Sequence, residues 1–185
     1  MNAEINLSPP TDRIFGEFLG RQYQEGMALA AESDILKLMP QNGHLSDRYI
    51  AEFICRGLVQ NDAGEVAEFN RFVVGIWFPE DYLRRVDESL IVTYFGPAPR
   101  PWHPNIKAPF ICTHIAPGTR LVDILYNCYE LFTWRVKYTG DEGLNHAAAQ
   151  WARHQDPTWF PIDRRPLRRR KLKLEVQPVA VEENK

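Results

Sequence analysis

Apolar and polar positions along the chain follow two different periods. In residues 12–31 large apolar side chains recur about every four positions, which predicts an amphipathic helix. The predicted helix ends either at Ala31 or at Leu38, before Pro40 and Gly43 terminate it. The apolar stripe of this helix consists of Ile14, Phe15, Phe18, Leu19, Tyr23 and Met27.

From residue 48 to residue 60 the period changes to two, which predicts a half-buried strand. A turn at residues 61–64 leads to a second strand, and residues 90–95 form a third short β-rich run. Strands that follow one another through short turns favour an antiparallel meander of three to four strands. The predicted core-facing residues of the first two strands are Tyr49, Ala51, Phe53, Cys55, Val59, Phe72, Val74, Ile76 and Phe78.

The second half of the chain predicts helices rather than strands. Residues 97–109 are rich in proline and predict a loop with little regular structure, and Cys112 follows directly after this loop. A helix is expected from Leu121 and a second one over residues 144–154. The fold class is therefore α+β. We expect a disordered start at 1–10, one domain at 11–160, and a basic and then polar tail at 161–185.

Composition places few further limits on this picture. The chain has 185 residues, a hydrophobic fraction of 44% and a formal net charge of -2, which suits one globular domain. This balance favours neither nucleic acid nor membrane as a partner. Residues 1–10 lack the basic and apolar regions of a signal peptide, so we expect a cytoplasmic protein.

The three cysteines differ in their sequence environment. Cys55 falls on the apolar face of a strand and Cys128 on the apolar stripe of a helix, so both are predicted to be buried thiols. Cys112 lies in a loop outside any periodic apolar face. Its position alone favours an inert residue, and the neighbouring sequence changes that interpretation.

Four segments in order resemble ubiquitin-conjugating enzymes. His103-Pro104-Asn105 is similar to the tripeptide that precedes the catalytic cysteine of this family, and here Asn105 precedes Cys112 by seven residues. Residues 78–82, the helix from Leu121 and residues 144–148 are similar to three further family segments. The chain departs from the family at residues 83–86 and in the short link between Cys112 and the next helix. The resemblance implies a UBC-like fold in a divergent, prokaryotic branch.

The resemblance also implies a function. A ubiquitin-like protein would pass from an activating enzyme to Cys112 as a thioester, and then to an amine, expected to be a lysine of an acceptor protein. A bacterial anti-phage conjugation pathway is the expected setting. The alternative is a non-catalytic module of the same fold that binds a ubiquitin-like protein or its activating enzyme.

The resemblance assigns roles to the residues around Cys112. Asn105 is expected to stabilise the oxyanion or organise the loop, although a simple turn asparagine is the alternative. Asp141 is expected to orient the incoming amine, or else to be an ordinary helix-start carboxylate. His103 is expected to brace the loop, with a catalytic base as the alternative. His114 is expected either to lower the pKa of the thiol or to point away from it.

Two further groups of residues bear on metal and nucleic-acid binding. His103, Cys112 and His114 offer mixed metal ligands, but no C-x-x-C or H-E-x-x-H motif is present, so neither a metal nor another cofactor is expected. Residues 164–173 form a basic cluster. We expect this cluster to be a solvated tail, with nucleic acid or an acidic partner as the alternative.

Overall fold

The computed structural model describes residues 12–136 and 143–169. Within them the chain forms four α-helices and nine strands, which confirms the α+β class. The helices are α1 (Arg13–Ala31), α2 (Glu88–Ile91), α3 (Leu121–Phe132) and α4 (His146–Arg153). The strands are β1 (Leu36–Pro40), β2 (Arg48–Phe53), β3 (Gly57–Gln60), β4 (Val66–Phe69), β5 (Phe72–Trp77), β6 (Val92–Gly96), β7 (Arg100–Pro101), β8 (Ile106–Lys107) and β9 (Phe110–Ile111). No helix in the described ranges is both long and apolar enough to cross a membrane.

Helix α1 ends at the first of the two predicted positions. The Asp12 carboxylate caps its start by accepting the Ile14 and Phe15 N–H groups. The extension to Leu38 is wrong, because the Ser33 hydroxyl accepts the next backbone N–H groups and the chain continues as strand β1. The predicted stripe is partly wrong as well. Ile14 is 71% exposed, whereas Phe15 and Leu19 are buried.

The strands form two antiparallel sheets rather than one meander. The main sheet has the order β1-β2-β5-β6-β9-β8, and a smaller sheet has the order β4-β3-β7. The predicted strand at 48–60 is therefore two strands in different sheets. The break occurs where the Arg56 N–H donates to the Asp163 carboxylate and the Arg165 guanidinium donates to the Ile54 carbonyl.

The main core lies between the large sheet and helices α1 and α3. Phe72 of β5 stacks on Phe132 of α3 with ring centroids 4.6 Å apart. The buried Gln22 side chain of α1 accepts a hydrogen bond from the Leu121 N–H at 2.7 Å. It thereby provides a partner for one of the backbone N–H groups at the start of α3 that have none within the helix. A second cluster joins the small sheet to α4 and consists of Leu58, Trp102, Trp134, Ala148 and Ile162.

Residues 161–169, which we expected to begin a separate tail, pack against this domain. Ile162 and Leu167 are buried in the two apolar clusters, and Asp163 is 1% exposed. A short helix also replaces the start of the β-rich run predicted at residues 90–95. Residues 90 and 91 belong to α2, and β6 begins only at Val92. The described fold therefore continues to Arg169.

Candidate active site

A short hairpin brings Asn105 and Cys112 together. Strand β8 pairs with β9, with Ile106 opposite Ile111 and Lys107 opposite Phe110. The Cys112 N–H continues this ladder by donating to the Asn105 carbonyl at 2.9 Å. The two residues thus occupy opposite positions across the hairpin, and their separation of seven residues follows from its register.

The turn before this hairpin is organised by His103. Its Nδ1 accepts the Asn105 N–H at 3.1 Å, so the proton lies on Nε2, which is 3.0 Å from the Val136 carbonyl oxygen. The ring is 1% exposed and packs edge-on against Trp134 at 4.6 Å. These contacts connect the turn to the segment after α3, and they are the kind that a bracing histidine would make.

The Asn105 side chain is enclosed but incompletely bonded. The residue is 4% exposed, and Oδ1 is buried without a hydrogen-bond partner in the described part of the chain. An unsatisfied buried polar atom costs about 1–3 kcal/mol and is uncommon in folded proteins. The Asn105 side-chain oxygen is therefore an acceptor with unused capacity beside the hairpin.

The three cysteines divide as their sequence environments predict. Cys55 and Cys128 are completely buried, and burial raises the pKa of each thiol to about 12. Cys112 is half-buried and therefore remains accessible. A thiol must reach the thiolate state and contact its substrate to act as a nucleophile, so Cys112 is the cysteine suited to that chemistry.

His114 lies next to the Cys112 thiol. Its Nε2 is 4.0 Å from the Cys112 Sγ. The His114 backbone has φ of 51°, a left-handed conformation that is uncommon for a residue with a side chain. Thr113, between the two, is buried, and its carbonyl accepts the Asn127 amide at 3.2 Å. The loop after Cys112 is therefore held in a defined conformation.

The approach to α4 packs directly on the turn. The Asn145 N–H donates to the Pro104 carbonyl at 2.9 Å, and a Cβ added to Gly143 would lie 2.5 Å from that same carbonyl oxygen. Only glycine permits this approach. Asp141, the candidate for orienting the amine, lies outside the described residues.

Sequence reasoning did not identify Glu88, the first residue of α2. One ligand atom from each of Glu88, Cys112 and His114 lies within 4.8 Å of the other two. Glu88 approaches because α2 leads directly into β6, which pairs with β9 just before Cys112. No sequence motif signals this proximity, since Glu88 precedes Cys112 by 24 residues.

Three arginines in the described part of the basic segment pair with acidic groups of the domain. Arg165 contacts Asp163 at 2.6 Å, and Arg168 contacts Glu32 at 3.0 Å. Arg169 lies 3.4 Å from Asp34. Part of the positive charge of this segment is therefore offset by acidic groups within the fold.

Comparison with solved structures finds several similar chains. No family model matches the sequence, and no curated protein matches it. The chain is similar to human ubiquitin-conjugating enzyme E2 G1, with 20% sequence identity and a TM-score of 0.44. The similarity covers 68% of this chain and 97% of that chain. At this level of similarity, function has to be argued from the residues of the chain itself.

Proposed function

We propose that this chain is a UBC-like conjugating protein that carries a ubiquitin-like protein as a thioester on Cys112. The observation that supports this most directly is the hydrogen bond from the Cys112 N–H to the Asn105 carbonyl. This bond joins the accessible cysteine to the tripeptide on which the sequence resemblance depends. The order of helix, antiparallel sheet, hairpin and two further helices agrees with the same proposal.

In the proposed first step, the Cys112 thiolate attacks the carbonyl carbon of a ubiquitin-like protein held as a thioester on its activating enzyme. A tetrahedral oxyanion forms and then collapses. The new carbon–sulfur bond to Cys112 remains, and the thiolate of the activating enzyme leaves. A thiolate suits this exchange because it is both a strong nucleophile and a good leaving group near neutral pH.

In the second step, an acceptor amine attacks the Cys112 thioester. The amine loses a proton, an amide bond forms, and the Cys112 thiolate is released. Asn105 is proposed to stabilise the second oxyanion through its amide N–H groups. Its position opposite Cys112 across the hairpin supports that role. His103 is proposed to hold the turn in place and His114 to assist the thiol.

Asp141 is proposed to orient the acceptor amine. It precedes by two residues Gly143, which contacts the Pro104 carbonyl in the turn before Asn105. A carboxylate near the thioester could accept a hydrogen bond from the incoming amine and favour its attack. The proposal for Asp141 therefore depends on sequence proximity to a segment that contacts the turn.

The test is a loading assay with the activating enzyme, the ubiquitin-like protein and ATP, read on a non-reducing gel. We expect an adduct that a thiol reductant removes and that Cys112→Ala abolishes. Cys55→Ala and Cys128→Ala are the matched controls and should keep the adduct. An adduct that persists in Cys112→Ala would disprove the assignment of the nucleophile.

The same assay separates the alternative function. A chain that binds the ubiquitin-like protein or its activating enzyme but is never loaded would be a non-catalytic binding module. The prokaryotic origin and the anti-phage setting remain predictions. A neighbouring gene for an activating enzyme and another for a small protein ending in glycine would support them.

A further inference from the structure

Three side chains that can bind a metal converge beside the hairpin. They are Glu88 of α2, Cys112 after β9 and His114 two residues later. Their ligand atoms all lie within 4.8 Å of one another, and Cys112 Sγ is 4.0 Å from His114 Nε2. This is the one cluster of three such residues among residues 12–136 and 143–169.

The backbone around these side chains is fixed by contacts from several elements. Thr93 of β6 pairs with Phe110 of β9, which holds the end of α2 beside the hairpin. His114 adopts the left-handed conformation, and its ring Nε2 lies 4.0 Å from the thiol two residues earlier. Such a conformation is uncommon for a residue with a side chain, and it is concentrated at functional sites.

The donor set of sulfur, nitrogen and carboxylate oxygen matches the preferences of zinc. Magnesium and calcium prefer oxygen ligands, so a thiolate selects against them. Bond lengths of about 2.0–2.3 Å in a tetrahedral site place donor atoms roughly 3.4–3.6 Å apart. The observed separations need a contraction of at most about 1.4 Å, which side-chain rotation can supply.

We propose that Glu88, Cys112 and His114 form a zinc site with a fourth position open to water. Three protein ligands and one exchangeable position are typical of zinc sites that are not purely structural. Glu88 and Cys112 are half-buried and His114 is exposed, so an ion can enter from solvent. This site differs from the three ligands considered in the sequence, because Glu88 replaces His103.

Zinc binding would compete with acylation of the thiol. When the metal binds, the Cys112 thiol loses its proton to solvent, and the sulfur electron pair forms the zinc–sulfur bond. That pair is then unavailable to attack a carbonyl carbon. Zinc should therefore inhibit loading reversibly, and this consequence rests on the proposed function, whereas metal binding itself does not.

The metal site can be tested with cobalt(II) as a spectroscopic probe for zinc. The reduced, full-length protein is titrated with cobalt(II), and thiolate-to-cobalt charge-transfer absorption is recorded in the near ultraviolet. We expect this band to appear, to disappear on addition of zinc, and to be absent in Cys112→Ala. A band that persists in Cys112→Ala, or no band in the parent protein, would overturn the proposal.

The two other ligands have their own variants. Glu88→Gln and His114→Asn should each weaken cobalt(II) binding by at least roughly tenfold. Asparagine is chosen because it tolerates the left-handed conformation at position 114. The matched controls are Glu80→Gln and His44→Asn, which alter exposed residues outside the cluster and should bind normally. Unchanged affinity in Glu88→Gln or His114→Asn would remove that residue from the site and refute the three-ligand arrangement.

Failure of this inference is distinguishable from failure of the proposed function. The cobalt(II) titration contains no activating enzyme or ubiquitin-like protein, so its outcome does not depend on thioester chemistry. In the loading assay, micromolar zinc should suppress the adduct and a chelator should restore it. Loading that is insensitive to zinc would exclude the inhibitory role while leaving the conjugation activity intact.

Discussion

The carboxylate of Asp163 connects the end of the described chain to the middle of the fold. It is 1% exposed and accepts the Arg56 N–H at 2.9 Å and the Arg165 N–H at 3.0 Å. The Arg165 guanidinium lies 2.6 Å away. Burial alone would raise the pKa of Asp163, but the hydrogen bonds from Arg165 and Arg56 outweigh it and lower the pKa from 3.8 to about 2.

This pKa has a direct consequence for stability. A decrease from 3.8 to about 2 corresponds to roughly 2.5 kcal/mol in the free energy of unfolding at pH 7, since one pKa unit is worth about 1.4 kcal/mol. The unfolded chain binds the proton more tightly than the folded chain does. The stabilisation is therefore complete above about pH 5, falls to about half at pH 3, and is lost below about pH 2.

We expect Asp163→Asn to lower the free energy of unfolding by about 2 kcal/mol at pH 7. The free energy of unfolding of the variant and of the parent protein is measured by urea denaturation, monitored by circular dichroism, at pH 7 and at pH 3. Because only the parent titrates at this position, the difference between the two proteins should shrink by about 1 kcal/mol at pH 3.

A control separates this effect from general loss of charge. Asp123→Asn removes an exposed carboxylate that pairs with Arg120, and exposed pairs contribute at most about 1 kcal/mol. We expect a small change there with little dependence on pH. If the difference in free energy of unfolding between the parent and Asp163→Asn were the same at pH 7 and pH 3, the hydrogen bonds to the ionised carboxylate could not be what stabilises the parent protein.

Three further predictions concern the candidate site. Gly143→Ala should slow transfer to amine by roughly 10- to 100-fold, because the added Cβ displaces the segment that contacts Pro104. Gly20→Ala, where an added Cβ has 3.9 Å of clearance, should transfer at the parent rate, and equal rates for the two variants would contradict this. Asn105→Ala should slow discharge by roughly 10²-fold while loading of Cys112 is retained, as followed by single-turnover gel assays; unchanged discharge would reduce Asn105 to a structural residue. A disulfide reagent at pH 8 should modify only Cys112 rapidly in the folded protein and all three cysteines after unfolding, since burial raises the pKa of the Cys55 and Cys128 thiols to about 12. Rapid modification of two thiols in the folded protein would contradict the burial of Cys55 and Cys128.

The elements predicted most accurately are those with a long, clear period. Helix α1, helix α3 and strand β5 were found from the spacing of apolar residues because their buried faces repeat over several turns or pairs. The burial of Cys55 and Cys128 followed from the same spacing. Helix α4 was also predicted, although Leu144 is 40% exposed and lies before its first residue.

The features that could not be predicted depend on contacts between distant residues. Strands β8 and β9 have two residues each, too few to show any period. The strand predicted at 48–60 is interrupted because Asp163 and Arg165 bind the backbone at its centre. The approach of Glu88 to Cys112 requires the pairing of β6 with β9, which no local pattern encodes.

The separation of 107 residues between Arg56 and Asp163 has a consequence for folding during synthesis. The strands on either side of Arg56 leave the ribosome long before the carboxylate that bonds to its N–H. Contacts of such long range form slowly, because a large loop must close before they stabilise the structure. Early intermediates would therefore leave the Arg56 N–H without its native acceptor, and completion of the domain should be a late event that follows synthesis of Asp163 and Arg165.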